Sequence, residues 1–280
     1  GAYSSEAVGA VSLASGTSTI SASNGSNTML FEGATLTLGG LSRSSVAAAT
    51  VSFAQNYTPS SSGTLGQLVD SSTTGRSQNI MVTGGLSLTN NIVGPWAVVG
   101  GYFAYSPAEY ASYGAAFGVG GLNVVGYAGY DGNALPSSSN AAGNFRVTAS
   151  AALPAGGLVL NTLNAVNTAA SANLDLTFSS ANDVLNLAAG GLMIQNVVNG
   201  TSGTSSIGTV ATPGKITAGG TSPAGPVDLF LYHYNTTSTN ALTINSQIVD
   251  NGSNAVRLIL WGAKSGTATG DSTDRKSTRL

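Results

Sequence analysis

The single histidine, His233, sits in a Leu-Tyr-His-Tyr-Asn run. On a strand, neighbouring side chains alternate faces, so Tyr232 and Tyr234 share one face and His233 takes the other. A histidine base needs a nucleophile in reach and an acid to orient it. Nothing in the sequence marks either, so the expectation is a solvent-facing or rim imidazole. The acids Glu6, Glu32, Asp70, Glu109, Asp131, Asp175, Asp183, Asp228, Asp250 and Asp271 are scattered, with no adjacent pair and no Asp-x-Asp. Enzymes that cleave polysaccharides gather such groups on one face. Asp175 and Asp183 could lie on adjacent turns, but their spacing does not put them on one face, and turn-forming aspartates are the expectation. No cysteine is present, which rules out disulfides and thiolate sites. One histidine rules out a histidine cluster, so no metal or cofactor site is predicted. Gly118-Val-Gly120-Gly121 lacks the Lys-Ser/Thr that follows a phosphate-binding loop, and no Gly-x-Ser-x-Gly elbow occurs. Trp96, Tyr102, Tyr105, Tyr110 and Tyr113 remain. Exposed, they would form a glycan-stacking platform, because such rings pair apolar faces with polar tips. The plainer expectation is that they plug the side of the fold.

The elements that must hold these residues are β-strands. Charged residues are 7% of the 280, against roughly 25% in ordinary soluble domains. Lys, Glu and Gln number only 3, 3 and 5, so exposed helix faces lack their usual filling. Gly, Ser, Thr, Asn and Val favour strands and turns instead. Disorder fits poorly with 42% apolar residues and a net charge of −2. With 9 basic against 11 acidic residues, a nucleic-acid surface is not expected, and no apolar run approaches the roughly 20 residues of a membrane-spanning helix.

Period-two runs recur, among them Thr35-Leu-Thr-Leu38, Ile80-Met-Val-Thr83, Leu158-Val-Leu160, Asp175-Leu-Thr-Phe178 and Leu242-Thr-Ile244. Glycine pairs at Gly39-Gly40, Gly84-Gly85 and Gly190-Gly191 are read as turns between them. Uniform composition, few large aromatics and abundant Asn, Ser and Thr for hydrogen-bonded ladders favour a stack of coils over a sandwich. At about 20–25 residues per coil, roughly 10 to 12 coils are expected. The predicted fold is all-β, a right-handed parallel β-helix. Its predicted parts are a helical segment at 1–91, an aromatic and Gly-rich elaboration at 92–132, a second helical segment at 133–264 and an unstructured tail at 265–280. The last seven residues, 274–280, resemble the conceptual translation of a sequencing adapter, with all seven positions matching. Lacking a starting Met and a leader-like segment, the sequence reads as a metagenomic fragment from within a longer product.

Several strings in order carry a resemblance: EAVGAVSLASGTSTI at 6–20, TLTLGGLSR at 35–43, GPWAVVGG at 94–101, the Tyr102-Phe-Ala-Tyr105 and Tyr127–Tyr130 segments, the 174–191 block, and LTINSQIVDN at 242–251. Together they resemble the autotransporter-associated β-strand repeat proteins of Verrucomicrobia and Planctomycetes. The resemblance implies a secreted or surface-displayed passenger with a β-helical stalk. It also implies a location outside the cell or on the outer-membrane surface, and a translocation barrel elsewhere in the parent chain. Surface glycans are the partners expected if the aromatic group is exposed. The expected function is adhesion or display without catalysis. A carbohydrate-binding or polysaccharide-cleaving β-helix is the alternative.

Overall fold

The computed structural model describes residues 3–22, 33–44, 46, 48–55, 68–69, 76–100, 107–124, 126–169, 172–196, 203–235, 241–264 and 278–279. Every regular element among them is a β-strand, and most pairings are parallel. The chain divides into two compact units, Gly1–Gly100 with Ala108–Gly129, and Gly101–Pro107 with Tyr130–Leu280.

In the first unit, Tyr3–Leu13, Gly33–Arg43 and Arg76–Val82 lie parallel, side by side. Thr17–Ala22, Thr50–Gln55 and Ala97–Val99 form a second parallel set, extended antiparallel by Glu109–Gly114 and Gly118–Gly121. The chain visits the two sheets alternately, and each visit adds a strand beside the previous one. Alternation turns Leu38 and Ile80 inward to meet Val51, Phe53, Ala97 and Val119 in one buried core.

The second unit repeats the scheme. Asn140–Val147, Gly157–Asn167, Val184–Asn196, Val227–Asn235 and Val256–Lys264 build a parallel sheet in that order. Between them the chain visits a sheet of short strands, Ala151–Ala152, Leu174–Thr177, Ser205–Ile207 and Leu242–Ile244. The longest strand is shared by two neighbours: Val184 to Leu187 pairs with Lys215–Ala218, and Gly191 to Asn196 pairs with Val227–Asn235. Apolar residues stack on their own kind across this register, Leu158 on Leu185, Leu160 on Leu187 and Leu163 on Leu192. Each such leucine, fully buried, contributes about 1.5–3 kcal/mol relative to exposure.

Two expectations change. Gly39-Gly40 and Gly190-Gly191 are not turns, because the strands Gly33–Arg43 and Val184–Asn196 run through them. Core-facing residues there step from Leu38 to Leu41 and from Leu187 to Leu192, so the pair resets the alternation and the strand continues. Beside Gly190 the register against Gly157–Asn167 shifts, as a bulge requires. Gly84-Gly85 is a turn, closed by the Gly85 N–H donating to the Val82 carbonyl at 2.8 Å. The spacing between paired strands is also uneven, where a regular 20–25 was expected: 18 residues separate Asn144 from Thr162, 29 separate Thr162 from Gly191, and 44 separate Gly33 from Ser77. Hydrogen bonds between adjacent layers join residues 31 apart (Asn164 and Gln195) and 33 apart (Thr17 and Thr50). Long strands of 11 and 13 residues, with a short strand and loops, use up that length. Within 265–280, Thr278–Arg279 pairs antiparallel with Arg257 and Leu258; the rest of that segment lies outside the described residues.

Candidate functional site

The aromatic group was the strongest candidate, and its members part company. Tyr110 lies on Glu109–Gly114, opposite Val98, and is completely buried. It therefore presents no ring face to a sugar. Tyr113 projects from the opposite side of the same strand, against the first unit's core. Its hydroxyl donates to the Val82 carbonyl at 3.1 Å and accepts from the Val82 N–H at 3.2 Å. Trp96 is half-buried against that core. Tyr102 and Tyr105 lie outside the described residues. Trp96, Tyr110 and Tyr113 thus pack into the first unit and form no exposed row.

The Gly118-Val-Gly-Gly121 string serves a tyrosine. The ring of Tyr127 lies on Gly120, occupying the space a Cβ would need, and its hydroxyl donates to the Gly118 carbonyl at 3.1 Å. Burial, then the neighbouring Tyr113, pushes the Tyr127 phenol well above its ordinary pKa.

His233 is half-buried, in the register column of Ile194. Tyr232 and Tyr234, both buried, take the other face together. Their rings stack at 6.4 Å and 17°. Trp261 meets both edge-on, at 5.7 Å and 4.7 Å. Sequence reasoning paired the tyrosines but missed Trp261, because its proximity depends on the Tyr232–Trp261 register.

Five aspartates bond to neighbouring backbone or side chains. Asp131 accepts the Asn144 N–H at 2.7 Å, and Asp250 accepts that of Val256 at 2.8 Å. Asp183 accepts the N–H of Gly156 at 2.9 Å through one oxygen and that of Ser180 at 2.8 Å through the other. The Gly156 bond is the main cause that holds its pKa below the ordinary carboxylate value; burial opposes it and the Ser180 bond adds to it. Asp175 accepts the Ser206 hydroxyl at 2.5 Å, one layer away. Asp228 pairs with Arg257 Nε at 2.7 Å. Among the described residues, no three His, Asp or Glu side chains gather where a metal ion could be held.

The most organised polar feature is a set of buried amides that join layers. Gln195 donates to Asn164 at 2.7 Å, and Asn164 donates to the Tyr130 hydroxyl at 2.8 Å. Asn144 accepts from both Asn161 (2.8 Å) and Thr162 (2.7 Å). Asn186 exchanges two bonds with the Gly220 backbone, and Asn251 donates to the Gly220 and Ala218 carbonyls.

No known protein family, curated protein or solved structure matches the chain. Its geometry must therefore carry any functional reading. These amides bind one layer of chain to the next, the aspartates bond either locally or to the adjacent layer, and the described titratable side chains are dispersed over separate strands and loops. The Asn and Ser enrichment pointed to such ladders, but not to their members, since partners one layer apart become visible only once the register is known.

Proposed function

We propose that the chain is part of a right-handed parallel β-helix that serves as a structural passenger stalk on a bacterial surface, for adhesion or display and without catalysis. The observation that carries this reading is the layer-to-layer register. The long strands of each unit lie parallel and in register over most of their length, and buried amides tie one layer to the next. A stack built from repeated local contacts lengthens without needing a new core, which suits a stalk. Right-handedness follows the strong preference of parallel crossover connections. The resemblance to autotransporter-associated repeat proteins adds the surface location and a translocation barrel carried by the parent chain.

The test is a tagged parent chain produced in a diderm bacterium. Surface display predicts that an antibody labels intact cells and that external protease removes the tag. A tag that is protected until the cells are lysed overturns display. A left-handed stack in an experimental structure overturns the handedness alone.

A further inference from the structure

One hairpin, Glu109–Gly114 with Gly118–Gly121, meets the third parallel strand of both sheets in the first unit. In one sheet, Tyr110 and Glu109 pair antiparallel with Val98 and Val99, so the parallel series Thr17–Ala22, Thr50–Gln55 and Ala97–Val99 goes no further. In the other sheet, Arg76–Val82 follows Gly33–Arg43, and beyond Ser77 its outer side meets no strand among the described residues. The Thr83 N–H points inward, donating to the Leu38 carbonyl at 2.8 Å. Backbone groups alternate along a strand, so those of Val82 and Ile80 point outward. There the hairpin supplies the partners. The Tyr113 hydroxyl takes both backbone groups of Val82, and Gly118 lies so close on the Ile80 carbonyl that a Cβ would overlap it. Asn79-Ile-Met-Val82 carries no charge, and bare it would be a template for another strand.

We propose that this hairpin is a cap that closes the first unit's stack at its third layer, and that opening it exposes Arg76–Val82 to the same strand of a second copy. A further layer needs a parallel strand on both sheets at once. The hairpin denies both, by reversing direction against Ala97–Val99 and by occupying the outer side of Arg76–Val82. Tyr113 suits the task because one hydroxyl fills both hydrogen-bonding positions of Val82 and presents no new backbone edge. Gly118 suits it because only a residue without Cβ fits against the Ile80 carbonyl, at a φ of +77°. The cap's own outer strand is four residues long, and its Gly118 carbonyl accepts the Tyr127 hydroxyl at 3.1 Å. Short, occupied edges of this kind resist pairing. The cap is a property of the first unit alone and holds whether or not the chain is displayed on a surface.

The chain has no cysteine, so one introduced thiol reports on this edge. Met81 lies beside Gly118 on the covered strand, and Thr37 is its neighbour one strand inward. In the full chain, Met81→Cys under a mild oxidant should give little disulfide-linked dimer. Adding Tyr113→Phe and Gly118→Val, which together lift the cap, should raise the dimer several-fold, while Thr37→Cys in the same background stays low. Equal yields from Met81→Cys with and without the cap overturn the proposal. Equal yields from Met81→Cys and Thr37→Cys without the cap overturn it too. Tyr113→Phe alone gives a second readout. Hydrogen exchange at the Val82 amide should quicken several-fold, with the Thr83 amide unchanged. Unchanged exchange at Val82 overturns the cap even if Gly118→Val fails to fold.

Discussion

Gln195 donates its side-chain N–H to Asn164 at 2.7 Å across adjacent layers of the second unit, and both amides are fully buried. Removing one leaves the other short of a partner in a medium that cannot replace it. Asn164→Leu and Gln195→Leu should each cost about 1–3 kcal/mol. The double variant should cost less than the two singles together, because the stranded partner is gone. Urea unfolding of the four proteins checks this. Additive losses would show that the two side chains act independently.

The glycine pairs that continue strands are held by close backbone approach. At Gly190, φ is +87° and a Cβ would overlap the Asp228 carbonyl oxygen. Gly190→Ala should therefore destabilise by about 2 kcal/mol or more, from the strained conformation and the clash together. Gly9 has nothing within 4 Å of the same position, and Gly9→Ala should stay within about 0.5 kcal/mol of wild type. Thermal melts of the two variants give the contrast directly.

Period-two alternation made the strands legible. Thr35-Leu-Thr-Leu38 and Leu158-Val-Leu160 read as half-buried strands and are so. Alternation is a local property, which is why it also paired Tyr232 with Tyr234. Gly190 misled because a glycine with positive φ serves a turn and a bulge equally well, and what separates the two is the Asp228 carbonyl from the next layer. Tyr110 and Tyr113 could be grouped by sequence but not placed. They project from opposite sides of one strand and pack within the first unit, through pairings that alternation alone does not give. Trp261 went unread because its partners lie one layer away, at a distance in sequence set by loop length and not by composition.

Tyr110 and Tyr113 separate packing from recognition. Tyr110→Ala should cost about 3–5 kcal/mol as a large cavity opens. Tyr113→Phe loses the two bonds to the Val82 backbone and should cost about 1 kcal/mol. Neither change should alter retention on immobilised glycans when the protein is assayed well below its melting temperature. Loss of retention by folded Tyr113→Phe would restore the platform reading.

Asp183 makes acid stability a sharp test of the turn network. Its folded pKa lies below the ordinary value because the carboxylate accepts the Gly156 and Ser180 N–H groups. The unfolded chain then binds the proton more readily, so stability from this group is present above the unfolded carboxylate range, near pH 4. It is lost as pH falls through the folded value. Asp183→Asn keeps one acceptor oxygen and carries no titrating charge. The variant should melt lower than wild type at pH 7, and the gap should narrow as the pH is taken from 5 toward 2. Melting temperatures of both proteins at matched ionic strength report the two slopes. A gap that stays constant across this range would mean that the charge on Asp183 contributes nothing and that its bonds act through geometry alone.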